Sequence, residues 1–350
     1  MHSRLVTYST ARGGRRYIAP AADRRTGLPT VEAELFGALS RSGAVAGDDA
    51  GYPPHYSRAS RTDRGVSALG QVVSMRMRVW DGVIDEINCH LPDDIRICDI
   101  RRVPPSFNAQ KLCDGRLYSY TLPTFAFAPM CETVSLVYRL TESRRQEVYQ
   151  LFQNYVGVHS FHSFSPKGDP DSQKMTRRVM SIDVAEPYLA HGLEFTTIWV
   201  KGASFVLSQI RRMVGMVVAV CRGAAAPDAL PDALGYQRLC TPTAPGLGLV
   251  LRQAQYDSLA AAPWNVHGAL TWSAEATAVA RRQETLLLRH IHRTEADSGV
   301  TFDFVDKLLH NRVGLPVTSS SSYRSPLGYA LLQTGRAWVA PLEPHRDEDS

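Results

Sequence analysis

A tight turn that leads straight into a strand is the feature that most constrains the fold of this chain. The turn places one carboxylate, Asp63, among the arginines Arg58, Arg61 and Arg64. Gly65 follows, and glycine permits backbone angles that other residues resist. After the turn, apolar side chains alternate with polar ones, at Val73, Met75, Met77 and Val79. This period of two predicts a half-buried strand.

The turn supports two interpretations. Neighbouring cations favour the charged form of a carboxylate, which can then act as a nucleophile, and the same cations attract a phosphate backbone. Alternatively, Asp63 and Gly65 are ordinary turn residues, and pairs of arginine and aspartate often do no more than solvate a loop. The residue types alone leave both interpretations open.

The amino-acid sequence of the whole segment is more specific than its residue types. From Arg61 to Val72 it reads Arg-Thr-Asp-x-Gly-Val-x-Ala-x-Gly-Gln-Val. This resembles the active-site segment of the TruA-type tRNA pseudouridine synthases, and Ser67 and Leu69 make it most similar to the eukaryotic branch that modifies several tRNA positions. Further segments similar to the family follow in the family's order, covering roughly residues 31–257: 88–97, 107–110, 114–127, 157–164, 201–205, 209–215 and 244–251.

The resemblance implies three catalytic residues. Asp63 is the catalytic carboxylate, Arg211 pairs with it, and Tyr118 stacks on the target base and takes part in removing its C5 proton. Tyr120, two residues further along the same strand, is interpreted as structural. The family often has His before the Gln-Ile-Arg motif, where this chain has Ser208.

The resemblance also implies the reaction, which is isomerisation of uridine to pseudouridine within RNA. The target uridine is expected to be flipped into a pocket, because a stacked base cannot be reached, and Arg61 to fill the space that it leaves. Asp63 acts by attack at C1′, by attack at C6 of the uracil, or by removing the 2′ proton, and the sequence leaves these routes open. Phosphate contacts are predicted for Arg58, Lys111, Arg116, Lys201 and Arg212.

The predicted fold class is α+β, with two similar α/β halves sharing a mainly antiparallel central sheet and a basic active-site cleft between them. The halves are predicted at 1–135, which carries the Asp63 motif, and at 136–257, which carries the Gln-Ile-Arg helix. Residues 258–350 form a C-terminal extension of unassigned role.

Periodicity predicts individual elements. Helices are expected at 31–42, 82–90 and 273–292, after a capping box of Ser143 and Gln146, and from Phe205 onward. Strands are expected at 95–103, 116–122, 178–185, 193–201 and 244–257, and the resemblance implies a first strand at 5–9. The helix from Phe205 has a continuous apolar face of Ile210, Met213, Val214, Val217, Val218 and Cys221, with Arg211 at its edge and Gly215 one turn further on.

Composition narrows the class of protein. The 350 residues are 44% apolar and carry a net charge of only +5, so RNA binding is expected from a local basic cleft. The six cysteines have no regular spacing, and His159 and His162 lack an acidic or cysteine partner at ligand spacing. Neither a disulfide framework nor a metal site is therefore predicted. No nucleotide-binding glycine motif is present, so no cofactor is expected.

The sequence also leads to expectations about the cellular location and the partners of the protein. The longest apolar run, at 213–221, is too short to span a membrane. The first 22 residues contain four arginines and no acid, which is typical of a mitochondrial targeting segment, although residues 5–9 also match the family's first strand. We expect an intracellular protein of the nucleus or mitochondrion, with the cytoplasm as an alternative. It acts on tRNA, with other structured RNAs as further substrates, and a monomer is favoured over a homodimer.

Two other functions compete with the synthase. One is a tRNA-binding or RNA-folding protein without catalysis, against which the intact Asp63, Tyr118 and Arg211 argue. The other is a hydrolase that uses Asp63 as a glycosidase nucleophile. That chemistry normally needs a second carboxylate about 5–10 Å away, and no partner acid stands out in the sequence.

Overall fold

The computed structural model describes residues 2–10, 30–45, 53–129, 136–260, 270, 272–308 and 313–315. The chain divides into two compact units. The first unit comprises Met1–Ser119, Lys201–Ser204 and Gly246–His290, and the second comprises Tyr120–Val200, Phe205–Pro245 and Ile291–Ser350. The predicted boundaries at residues 135 and 257 stay predictions.

The described strands form a large, mainly antiparallel sheet, which confirms the mixed α and β class. In chain order they are β1 (His2–Thr10), β2 (Ser57–Arg58), β3 (Ser67–Met77), β4 (Ile95–Arg102), β5 (Gly115–Pro123), β6 (Gly157–Ser160), β7 (Thr176–Val184), β8 (Tyr188–Ala190), β9 (Leu193–Gly202) and β10 (Leu249–Gln255). The helices are α1 (Val31–Arg41), α2 (Val83–Cys89), α3 (Glu142–Gln153), α4 (Gln209–Cys221), α5 (Ala229–Asp232), α6 (Asp257–Ala260), α7 (Ala274–Ser298) and α8 (Val300–Leu308).

In the first unit, the hydrogen-bonded strand order is β4, β1, β3, β10 and the beginning of β5, with β2 paired to β3. Strand β1 is antiparallel to both β3 and β4, whereas β10 runs parallel to β3, with Val250 opposite Ser67. Helices α1 and α2 supply the core on one face of β1, β3 and β4. Thr30 caps α1 by accepting a hydrogen bond from the Ala33 backbone at 3.0 Å.

Strand β3 follows the predicted alternation in part. Val73, Met75 and Met77 are buried, as predicted. The strand ends at Met77, so Val79 lies beyond it and is 42% exposed. Ser74, a polar residue that alternates with them, is also buried, and its hydroxyl lies 2.7 Å from the Ser57 hydroxyl. A buried hydroxyl needs such a partner.

In the second unit, the strand order is the end of β5, then β9, β7 and β6, with β8 paired to β9. The predicted apolar face of α4 is confirmed, since all six of its residues are buried. The helix begins at Gln209 rather than near Phe205. Helix α3 is capped by Thr141, which accepts from the Arg144 backbone at 3.3 Å, and not by Ser143 as predicted.

The C-terminal extension contributes α7 and α8, and α7 continues six residues past the predicted end at 292. The predicted loop at 317–322, the acidic end at 346–350 and most of the arginine-rich N-terminal segment lie outside the described residues. Among the described helices, none is long and apolar enough to cross a membrane.

Candidate active site

Asp63 lies in the turn that connects β2 to β3. Its carbonyl oxygen accepts a hydrogen bond from the Val66 backbone at 3.1 Å, which closes a four-residue turn. Gly65 occupies the third position with a φ of +82°. Because that angle is unfavourable for a residue with a side chain, the turn requires glycine there. The Asp63 side chain is half-buried, while the neighbouring Arg61 and Arg64 are exposed.

Two buried side chains hold the backbone immediately before this turn. The Arg116 guanidinium donates to the Ala59 carbonyl oxygen from Nε at 3.2 Å and from Nη2 at 2.7 Å. The Gln71 carboxamide donates to the Ser60 carbonyl oxygen at 2.8 Å and accepts from the Ser60 N–H at 3.2 Å. The segment that leads to Asp63 is therefore fixed at two consecutive residues.

Tyr118 lies on β5 within the same unit as Asp63. Its ring is 5% exposed, and its hydroxyl lies 2.8 Å from the Ser60 hydroxyl. Burial raises the pKa of Tyr118, and the negative charge of Asp63 adds to this rise, whereas the Ser60 hydrogen bond and Arg116 oppose it. Tyr118 is therefore a neutral phenol near pH 7, within electrostatic range of the Asp63 carboxylate.

The other side of the turn packs against Gly246. A Cβ atom at that position would lie 2.9 Å from the Arg64 carbonyl oxygen and 3.3 Å from the Gly65 carbonyl carbon. Such distances are too short for a side chain, so only glycine allows the two backbones to approach this closely. From Gly246 the chain continues into β10, which pairs with the first residues of β3.

Arg211 belongs to the second unit, on α4. Its Nε donates to the Ala244 carbonyl oxygen at 2.8 Å, and its own carbonyl oxygen accepts from the Ala244 backbone at 3.1 Å. A Cβ atom on Gly215 would clash with the Pro242 carbonyl oxygen, so this glycine allows the 242–244 segment to lie against α4. In this unit, the Tyr120 hydroxyl donates to the Pro245 carbonyl oxygen at 2.7 Å, a structural contact.

The side chains predicted to contact RNA divide into two groups. Arg61, predicted to fill the space left by the flipped uridine, and Lys111 are exposed, and Lys201 is half-exposed. The other three make contacts within the protein: Arg58 pairs with the buried Glu32, Arg116 binds backbone carbonyls, and Arg212 donates to the Thr241 carbonyl oxygen at 2.7 Å. The Arg116 guanidinium is buried against the loop that precedes Asp63, and its phosphate contact stays a prediction.

The described part of the chain contains no group of three or more side chains suited to hold a metal ion. His162 is buried and contacts the Ser160 hydroxyl through Nδ1 at 3.0 Å, while His159 contacts the Val156 carbonyl oxygen at 3.1 Å. Cysteines 89, 98, 113, 221 and 240 are free thiols.

Sequence reasoning assigned no role to Ser60, Gln71 or Gly246. Gln71 carried a usable signal, because a carboxamide inside an otherwise apolar strand must find hydrogen-bond partners. Ser60 and Gly246 carried no such signal. The Tyr118 partner of Ser60 lies far away in the sequence, and Gly246 packs against backbone atoms.

The sequence of this chain is similar to those of known proteins. Residues 151–257 match a family model described as tRNA pseudouridine synthase. A human protein named pseudouridylate synthase 1 homolog is 38% identical over 300 residues, which cover 84% of this chain and 70% of the human one. The mouse protein of that name is 38% identical over 297 residues, covering 81% and 69%. The tRNA pseudouridine synthase 1 of Yarrowia lipolytica is 27% identical over 315 residues, covering 65% and 60%.

Proposed function

The chain belongs to the tRNA pseudouridine synthase family, and we propose that it converts uridine to pseudouridine in tRNA with Asp63 as its catalytic carboxylate. One observation supports the assignment of Asp63 more than any other. Its turn is fixed by buried side chains before it and by Gly246 after it, and Tyr118 is bonded to the same loop. A half-buried acid held in this way is preorganised for chemistry.

The reaction is an isomerisation. The bond between N1 and C1′ breaks, the uracil rotates, and a bond forms between C5 and C1′. The proton on C5 is lost and N1 takes up a proton, so atoms and electrons balance without an oxidant, a reductant or a second substrate. Attack at C1′, attack at C6 and abstraction of the 2′ proton each begin from the charged Asp63 carboxylate.

Tyr118 and Arg211 complete the proposed catalytic set. Tyr118 stacks on the flipped uracil and takes part in removing the C5 proton. Arg211 pairs with the Asp63 carboxylate and keeps it charged and oriented. The motif that carries Arg211 supports this pairing, because Gln-Ile-Arg is similar to the family's motif whose arginine pairs with the catalytic aspartate.

Three exposed cations of the first unit are proposed to contact the RNA. Arg61 fills the space left by the flipped uridine, and Arg64 and Lys111 contact phosphates. We also propose, from the sequence, that the enzyme acts as a monomer in the nucleus or mitochondrion and accepts other structured RNAs. Binding is expected to weaken steeply with salt, because phosphate contacts release counterions.

Unmodified tRNA transcripts test the proposal. The purified protein is incubated with them, and pseudouridine is detected as carbodiimide adducts that stop primer extension. We expect new stops at specific uridines. Salt-dependent tRNA binding without any pseudouridine would favour an RNA-binding protein instead, and release of free uracil would indicate a glycosidase.

A further inference from the structure

The loop that carries Asp63 leaves the sheet at Ser60, where a side chain replaces the neighbouring strand as the hydrogen-bond partner of the backbone. Strand β2 pairs with β3 through Ser57 and Arg58, and the Ala59 N–H still donates to the Val72 carbonyl oxygen at 2.8 Å. At Ser60 the backbone partner is replaced by the Gln71 carboxamide, which binds both the N–H and the carbonyl oxygen. The chain can therefore turn away without leaving buried polar groups unpaired.

This arrangement fixes more than one residue. Gln71 is 3% exposed, so its two hydrogen bonds are shielded from water. With the Ser60 backbone held, the Ser60 hydroxyl stays 2.8 Å from the Tyr118 hydroxyl. Only Arg61 and Thr62 separate Ser60 from Asp63. A change in the backbone angles at Ser60 would therefore displace the carboxylate.

We propose that Gln71 is a positioning residue for catalysis: by binding both backbone groups of Ser60, it sets the position of the Asp63 carboxylate and keeps Ser60 bonded to Tyr118. Gln71 itself touches neither substrate nor reacting atoms. The inference rests on the proposed pseudouridine synthase activity. Displacing a catalytic group by about 1 Å can lower a rate by roughly 100-fold, so the effect should be large even though Gln71 is not part of the chemistry.

The chain offers a matched control. The Asn88 carboxamide donates to the Ile97 carbonyl oxygen at 3.0 Å and accepts from the Ile97 N–H at 2.8 Å, the same pair of bonds made by Gln71. Ile97 lies on β4, which is separated in the sequence from the loop that carries Asp63. Gln71→Met and Asn88→Leu therefore each remove the two bonds between a carboxamide and one backbone residue while keeping the side chain's approximate shape. Gln71→Met also removes an acceptor that lies 3.3 Å from the Val72 N–H. The stability of both variants is therefore measured beside their activity.

The experiment measures kcat and KM on tRNA transcripts, together with the unfolding midpoint, for the wild type and both variants. We expect Gln71→Met to lower kcat about 10- to 100-fold with KM changed less than about twofold. Asn88→Leu should lower the unfolding midpoint yet keep kcat within about twofold of the wild type. A kcat for Gln71→Met equal to that of Asn88→Leu would overturn the inference, whereas an inactive wild type would instead refute the proposed function.

Gln71→Glu supplies a second readout. A protonated glutamic acid can still donate to the Ser60 carbonyl oxygen, whereas a carboxylate would place two acceptors against each other. We therefore expect the ratio of kcat for Gln71→Glu to kcat for the wild type to rise as the pH falls from 8 to 6. A ratio independent of pH, or failure of both Gln71 variants to fold when Asn88→Leu folds, would assign Gln71 to the stability of the fold alone.

Discussion

The hydroxyl oxygens of Ser60 and Tyr118 lie 2.8 Å apart, which joins the loop that carries Asp63 to strand β5. Ser60 in turn is bonded through its backbone to Gln71. Ser60, Gln71 and Tyr118 therefore form one hydrogen-bonded arrangement, and Asp63 follows Ser60 by three residues in the same loop. A change at one of them is expected to affect the others.

Removing the Tyr118 hydroxyl should slow the loss of the C5 proton. Tyr118→Phe keeps the ring for stacking but loses the hydroxyl, and we expect the rate of proton release to fall by about 100-fold. Tyr120→Phe is the matched control, because its hydroxyl donates to the Pro245 carbonyl oxygen and no chemical role is proposed for it. That variant should lose about 1 kcal/mol of stability and keep its rate. Equal rates for the two variants would refute a chemical role for the Tyr118 hydroxyl.

Replacing Arg211 should remove the positive partner of Asp63. We expect kcat to fall by about 100-fold or more in Arg211→Ala, and less in Arg211→Lys, which keeps the charge but not the planar fork. Adding guanidinium ion to the Arg211→Ala enzyme should restore part of the rate. If the alanine variant retains the wild-type kcat, the proposed pairing is wrong.

Two helical glycines should respond in opposite ways to alanine. A Cβ on Gly215 clashes with backbone, so Gly215→Ala should destabilise the protein by about 1–3 kcal/mol. A Cβ on Gly37 meets only the movable end of Arg41, at 3.1 Å, so Gly37→Ala should stabilise α1 by up to about 1 kcal/mol. Denaturant unfolding measures both. A stabilising effect of Gly215→Ala would contradict the close packing of the 242–244 segment.

The buried Glu295 predicts how stability changes with pH. Its carboxylate accepts from the Thr301 N–H at 2.9 Å and the Thr301 hydroxyl at 2.8 Å, and burial raises its pKa to about 7. Because the folded state holds this proton more tightly than the unfolded chain, the neutral acid stabilises the fold at low pH. That stabilisation is lost as the pH rises through about 7.

The variant Glu295→Gln isolates this effect. A glutamine can accept from the Thr301 N–H and donate to its hydroxyl, without titrating. Between pH 5 and pH 8, the unfolding free energy of the wild type should fall relative to that of the variant by on the order of 2 kcal/mol. Asp306→Asn, on the exposed surface of α8, should keep the wild-type dependence, because Asp306 does not contribute to the raised pKa of Glu295. A difference that does not change with pH would show that Glu295 does not titrate in this range.

Local patterns predicted the secondary structure better than they predicted the site. The apolar face of α4 depends on spacing within one helix, so its burial could be read from the sequence. Ser60 meets Tyr118 across 58 positions, which no local period encodes. Arg116 meets the Ala59 carbonyl oxygen across 57 positions, a contact that the sequence pattern also does not encode. Side-chain partners inside the fold depend on tertiary packing, and the sequence pattern does not specify them.

The most direct test of the account is tritium release from tRNA transcripts labelled at C5 of uridine. The wild type is compared with Asp63→Asn, which keeps the size of the side chain but removes its charge, after both are shown to fold and to bind tRNA equally. We predict release by the wild type and none above background by the variant. Release by Asp63→Asn at the wild-type rate would contradict the assignment of Asp63 as the catalytic carboxylate.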